Sequence, residues 1–280
     1  SCRWILSEWM PRFGVEVTYV DATDIEAWKT AVRPTTKAFL VESPANPLLE
    51  VTAIGAVADI AHAAGAKLIV DNVFATPIFQ KPLVLGADIV VYSATKHIDG
   101  QGRVLGGAIL GADELMTSAY KDMHRHTGPA LSPFNAWVLL KGLETLELRV
   151  RRQTENCGKV ANAIASHSKV KRTIYPGRPD HPQAAVIANQ MTGGGNVVAF
   201  DLGSRAAAWK FLDTLEIVDI SNNLGDAKSM ATHPSTTTHR SMPEAERLAI
   251  GLTEGWVRMS VGLEGPNDLI RDVSRALDAA

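Results

Sequence analysis

The stretch KLIVDNVFATP (residues 67–77), followed by DIVVYSATKHIDGQG (residues 88–102), decides the fold. Each opens as a short run, LIV or IVV, that is apolar at consecutive positions, the pattern of a strand covered by helices on both faces. Each then stops at a polar group, Asp71 in the first and Ser93 in the second. Ligand sites of open α/β sheets lie outside the carboxyl ends of the strands. Asp71 and Lys96 are 25 positions apart, enough for one crossover between neighbouring strands, so both side chains are expected to reach one crevice.

Working outward, VEVTYVD (15–21), KAFLVES (37–43) and GGAIL (106–110) read as further strands, and IEAWKTAV (25–32) and AIGAVADIAHAAG (53–65) as amphipathic helices. Pro82 predicts that any helix between Pro77 and Gly86 is short or irregular. At the start, Trp4 to Met10 reads as a short helix that Pro11 and Gly14 can end. Residues 134–167 hold no proline and return Leu and Val at helical spacing, which predicts one long or kinked helix. Beyond it, VKRTIY, NVVAFDL, EIVDIS and WVRMSVGL alternate with helical AAAWKFLDTL, PEAERLAI and DLIRDVSRAL, the pattern of a smaller α+β unit. The expected organisation is a mostly parallel α/β unit over 1–132, a linking helix over 133–168 and an α+β unit over 169–280.

The 280 residues, 46% hydrophobic and 21% charged, suit a soluble globular chain. With 28 Lys and Arg against 30 Asp and Glu, there is no electrostatic reason to expect nucleic acid or an anionic membrane as partner; the expected ligands are small molecules. The two cysteines, Cys2 and Cys157, form no CxxC and fit a reducing compartment. The start carries charges and lacks the apolar core of a signal peptide, so a cytoplasmic protein is expected.

A carboxylate at the end of an apolar strand is costly unless it meets a cation, and a protonated pyridine nitrogen is one. An ammonium such as Lys96 faces the same cost; desolvation favours its free amine, which can attack an aldehyde and form a neutral imine. Ser93 and Thr95 lie within three residues of Lys96 and can donate to phosphate oxygens without adding charge. For an arbitrary Asp and Lys, an ion pair at the sheet rim would be the simpler account. The complete strings Asp71-Asn72-x-Phe74-Ala75-Thr76-Pro77 and Ser93-Ala94-Thr95-Lys96 reverse that preference.

These strings resemble those of the Cys/Met-metabolism family of pyridoxal phosphate (PLP) enzymes, and the likeness runs from PRFGVEV through ESPANP to WVRMSVGLE. It implies the aspartate aminotransferase type of PLP-dependent transferase fold. Lys96 would bind the cofactor aldehyde covalently, Asp71 would pair with the pyridine nitrogen, and Ser93 and Thr95 would hold the phosphate. Asn46, in SPANP, resembles the family Asn near the cofactor hydroxyl and the substrate carboxylate. Arg258, in WVRMSVGLE, resembles the arginine that clamps that carboxylate, a role suited to a planar bidentate donor.

Within the family, residues 97–103 and 222–239 are similar to members that exchange the acyl group of a homoserine ester for sulfide in methionine biosynthesis. Related members use cysteine or cystathionine instead, in γ-synthase or γ-lyase reactions. Those members usually carry Ser before the Leu-Gly of the second motif, where this chain has Asn223, a substrate-side group that cannot relay a hydroxyl proton. The resemblance also implies a homotetramer built as a dimer of dimers. Family members have an additional N-terminal portion with a glycine-containing phosphate loop, a ring stacked on the cofactor, and a Tyr and Arg given to the neighbouring subunit. Without it, a catalytically silent homologue acting only in assembly is the expectation of another class.

Other motifs receive simpler readings. Gly100, Gly102 and Gly106 lack dinucleotide-loop spacing. His124 and His126, and His233 and His239, have no partners at ligand spacing, and no metal is expected. Arg149, Arg151 and Arg152 read as a solvated or subunit-contacting charged helix face, and the six Trp as core.

Overall fold

A computed structural model describes residues 2–280. Its first sheet has four strands in the order β1 (Ala38–Glu42), β2 (Lys67–Asp71), β3 (Ile89–Ser93) and β4 (Gly107–Gly111). The first three are parallel, and β4 runs antiparallel to β3. Alternation along these strands sends Phe39, Val41, Leu68, Val70, Val90 and Tyr92 into one core with α1 (Ile25–Ala31) and α2 (Ile54–Ala63). Helix α2 buries Ile54, Val57, Ala58 and Ala61, the spacing of a single helical stripe. Helix α1 starts at Asp24, whose carboxylate accepts the Glu26 and Ala27 N–H groups, a cap worth about 1 kcal/mol. Trp28 on α1 stacks on Phe39 at 5.3 Å.

The long helical stretch forms two helices, α3 (Pro133–Glu144) and α4 (Leu146–Ala165), broken at Thr145. Helix α4 buries Leu146, Arg149, Val150, Gln153, Asn156, Cys157, Val160, Ala161 and Ile164. Its C-terminal half lies under a second, five-stranded sheet ordered β5 (Arg172–Ile174), β6 (Val197–Asp201), β9 (Trp256–Ser260), β8 (Met230–Thr232) and β7 (Asp219–Ile220). Helices α5 (Arg205–Thr214) and α6 (Pro266–Ala279) complete that core, where Phe200 meets Phe211 edge to face. No described helix is long and apolar enough to cross a membrane.

Several local expectations are corrected. VEVTYVD is irregular rather than a strand: β1 is the sheet edge, nothing pairs with residues 15–20, and Val15 and Tyr19 stay exposed. The short strand β8, inside SMATHPS, and helices at Ala184–Gln190 and between Asp113 and Thr127 escaped the periodicity reading. Only Trp28 and Trp256 are core; Trp4, Trp9, Trp137 and Trp209 are about half exposed.

Candidate functional site

The parallel register sets the site. Glu42 pairs with Asp71, and Asp71 with Val91, two residues before Ser93. Strand alternation therefore puts Glu42, Asp71 and Ser93 at the carboxyl ends of three neighbouring strands, on the face opposite the α1–α2 core. Beyond β3 the chain coils tightly, with Lys96 N–H bonded to Ser93 O at 3.1 Å and Gly100 N–H to Lys96 O at 2.8 Å. This turn carries the Lys96 amine to the loop between β7 and β8 of the second sheet, where Nζ donates to Asn223 Oδ1. Burial, and after it the Arg258 charge, hold the Lys96 pKa below the usual amine range.

Arg258 lies in mid-β9, paired with Ala199 and Thr232. It is 2% exposed. Its Nη1 donates to Asn46 Oδ1 at 2.7 Å, and Nη2 to the carbonyls of Asn222 and Asn223 at 2.8 and 3.2 Å. Burial lowers its pKa to about 10, and its Nε has no hydrogen-bond partner among the described residues. Asp71 has its pKa raised by burial; the Val73 N–H at 3.1 Å opposes the rise. Among the described residues no cation lies within ion-pair distance of Asp71.

Glu42 was missed by the motif reading. It ends AFLVE as Asp71 ends KLIVD, and that parallel was the available signal. Burial, then the Asp71 charge, push its pKa up to about 8, against the Asn46 N–H and the Arg258 charge. Two adjacent carboxyl groups cannot both ionise cheaply, and burial beside Asp71 favours the acid form of Glu42. Thr95 Oγ1 accepts the Gly106 N–H at 3.2 Å and reaches Gly106 O at 3.4 Å, which orients it beside Ser93. Below them Asn72, fully buried, donates to Gln80 O and Tyr92 OH, and Gln80 donates to Ser43 O, fixing the loop after Asp71 against the loop before Asn46.

Arg149 overturns the expectation of a solvated face. It is 7% exposed. Its guanidinium donates to His97 O and Gly142 O, both at 2.8 Å, and to Thr145 Oγ1 at 3.0 Å. Gly100 makes room for it, since a Cβ there would lie 2.0 Å from Nη1. Arg151 and Arg152 do face solvent. Arg149→Met would leave His97 O without its donor and Gly142 O with only the long Thr145 N–H contact at 3.4 Å, a lost partner costing about 1–3 kcal/mol. Urea unfolding of this variant is expected to show a loss of about 3 kcal/mol, and a loss near zero would contradict the clamp.

The donor set fits PLP. A partly buried carboxyl group without a cation suits a protonated ring nitrogen, an amine of lowered pKa suits an aldehyde, and the Ser93 and Thr95 hydroxyls suit a phosphate. Among the described residues no group of three or more His, Cys, Asp or Glu converges as a metal cage.

Comparison with known proteins agrees with this chemistry. Residues 1–278 match the family model described as Cys/Met metabolism PLP-dependent enzyme. The chain is 51% identical to an O-succinylhomoserine sulfhydrylase of Mycobacterium tuberculosis over 99% of its own length and 70% of that relative. With the Pseudomonas aeruginosa O-succinylhomoserine sulfhydrylase it shares 45% identity, over 98% of this chain and 68% of the other. The solved structure of cystathionine gamma-lyase from Lactobacillus plantarum superposes with a TM-score of 0.95 at 33% identity, over 99% of this chain and 73% of that one. The fold is that of the PLP-dependent transferases, and the chain belongs to the Cys/Met-metabolism family of PLP-dependent enzymes.

Proposed function

We propose that the protein catalyses γ-replacement on an acylated homoserine. Sulfide displaces the ester: a C–S bond forms at Cγ, the C–O bond there breaks, and homocysteine and the free acid, succinate for the succinyl ester, are released. The observation that carries the reading is the Lys96 amine, its pKa lowered and its proton directed to Asn223, beside a buried arginine. Identity of 45–51% to the two sulfhydrylases supports the choice of reaction.

When bound, PLP supplies an aldehyde for an amine and a cationic ring that takes up the electron pair left at Cα. Asp71 keeps that ring protonated, Ser93 and Thr95 hold the phosphate, Asn46 lies at the junction of cofactor and substrate, and Lys96 is the covalent anchor. Lys96, whose pKa is held below the usual amine range by burial and the Arg258 charge, is the group placed to take the Cα proton. Asn223 accepts from that amine and aims it; having no hydroxyl, it passes no proton on. Arg258 receives the substrate carboxylate, for which Asn46 Oδ1 stands ready as a competing acceptor.

In this reading residues 1–132 form the cofactor-binding unit, 133–168 the link and 169–280 the substrate-clamping unit. The protein acts in methionine biosynthesis in the cytoplasm, as a homotetramer. Phe134, Trp137 and Leu140 support assembly with further copies: they project from α3 more than half exposed, an apolar face suited to a subunit contact. Light scattering should give the mass of four chains.

The deciding experiment offers purified PLP-loaded protein O-succinylhomoserine or O-acetylhomoserine with either sulfide or cysteine. Homocysteine from sulfide is the expected product, with the faster ester identifying the acyl group. Rapid cystathionine formation without homocysteine would instead assign a cystathionine synthase. Arg258→Lys loses the planar fork while keeping the charge, and is expected to raise KM for the ester by about 10–100-fold, the weight of one or two charged hydrogen bonds. An unchanged KM would remove Arg258 from the substrate site.

A further inference from the structure

Lys96 is followed by His97, which is 3% exposed. Burial lowers the His97 pKa to about 4, so the ring is neutral. Its Nε2 lies 2.7 Å from Asn196 Oδ1. The Asn196 amide nitrogen is already committed as donor, to Ser260 Oγ at 3.2 Å and Val261 O at 3.0 Å, so the His97 Nε2–H must be the donor to Oδ1. Ser260 Oγ in turn accepts the Gly225 N–H at 2.9 Å. Two residues before Gly225 stands Asn223, whose Oδ1 accepts from the Lys96 amine.

These contacts close on themselves, running from Lys96 through His97, Asn196, Ser260, Gly225 and Asn223 back to Lys96 Nζ. Asn196 and Ser260 are each 1% exposed. Arg258 and Ser260 project from the same face of β9, two residues apart, and grip the 222–225 loop at both ends. Gly225 takes φ +75°, and a Cβ there would lie 2.8 Å from the His97 backbone nitrogen and ring. The loop therefore seats directly against the residue after the lysine. A histidine that merely satisfied itself in the core would not need a path that returns to the neighbouring amine.

We propose that His97, Asn196 and Ser260 are positioning residues, which through this closed ring set where the Lys96 amine meets its acceptor Asn223. The proposal rests on Lys96 being the amine that carries PLP. A ring opened at any member loses the same constraint, so single changes should be alike and double changes should add nothing.

The test uses the full chain, stripped of PLP and reloaded, with borohydride trapping and peptide mass mapping to follow bond formation at Lys96. S260A, which removes one hydroxyl, and H97L are each expected to slow the saturating rate of trapping about tenfold, the effect of a modest misplacement of a reacting group. In the loaded enzymes kcat should fall by a similar factor while KM for the ester stays within about twofold. The double variant should be no slower than the slower single, and H97Q, whose amide can still donate to Asn196, should recover to within about threefold of wild type. Thermal midpoints measured alongside separate slowing from unfolding, and should H97L fail to fold, S260A and H97Q decide the matter. S260A trapping at the wild-type rate, or losses that multiply in the double variant, would overturn the ring. Wild-type trapping at another residue would overturn the assignment of Lys96 itself, and the ring with it.

Discussion

Lys96→Ala protein is expected to lose homocysteine formation by at least about 10³-fold, the upper range for removing a positioned acid–base group. The loss is larger than for any other single change because two roles end together: the covalent hold on PLP and the removal of the Cα proton. The amine is already tuned for both, since burial and the Arg258 charge lower its pKa and Asn223 aims it. The check has two parts, product formation under saturating PLP and borohydride trapping followed by mass mapping. Trapping that persists undiminished in this variant would place the anchor elsewhere. Recovery of activity on adding a free primary amine would show that the base has been lost while the cofactor pocket survives.

Asp71→Asn is expected to lower kcat/KM by about 10²–10³-fold and to weaken PLP binding, because it leaves a cationic ring facing a group that cannot neutralise it. Breaking a buried charge pair costs about 3–5 kcal/mol. The same substitution should act in the opposite direction on the protein without PLP. There the Asp71 pKa is raised by burial, so the folded state holds its proton more tightly than the unfolded chain does. The stability this contributes is complete below the unfolded pKa and is lost as pH rises through the folded value. Above the folded value the ionised group is thus a burden on the PLP-free fold, which Asn relieves. Thermal unfolding should show Asp71→Asn at or above wild type without PLP and below it with PLP. A drop in both states would mean that Asp71 serves the fold rather than the ring.

Both predictions start from strings visible in the chain. KLIVD and DIVVYS read as buried strands because consecutive β-branched and aliphatic residues have no polar face to expose, and they are β2 and β3. AIGAVADIAHAAG read as a helix because its apolar residues recur every three to four positions, and the buried set of α2 keeps that spacing. VEVTYVD carries the same alternation as a strand yet pairs with nothing, since pairing needs a neighbour that local pattern does not specify. Arg149 looked like its neighbours Arg151 and Arg152, although Arg151, two positions on, points to a different face and Arg152, three on, is turned from Arg149 by about 60°. Which of the three turned inward depended on the carbonyls of His97, in the Lys96 turn, and of Gly142 at the end of α3.

Strands β2 and β3 with Asp71 and Ser93 at their ends, helices α1 and α2, and the family follow from the amino-acid sequence by itself, because periodicity and short motifs are properties of neighbours along the chain. The pairing of Arg258 with Asn46 across 212 positions, the raised pKa of Glu42, the buried guanidinium of Arg149 and the ring through Asn196 and Ser260 were decided only in the folded molecule. Burial and charge at a side chain are set by whatever packs against it, and here those partners come from both sheets.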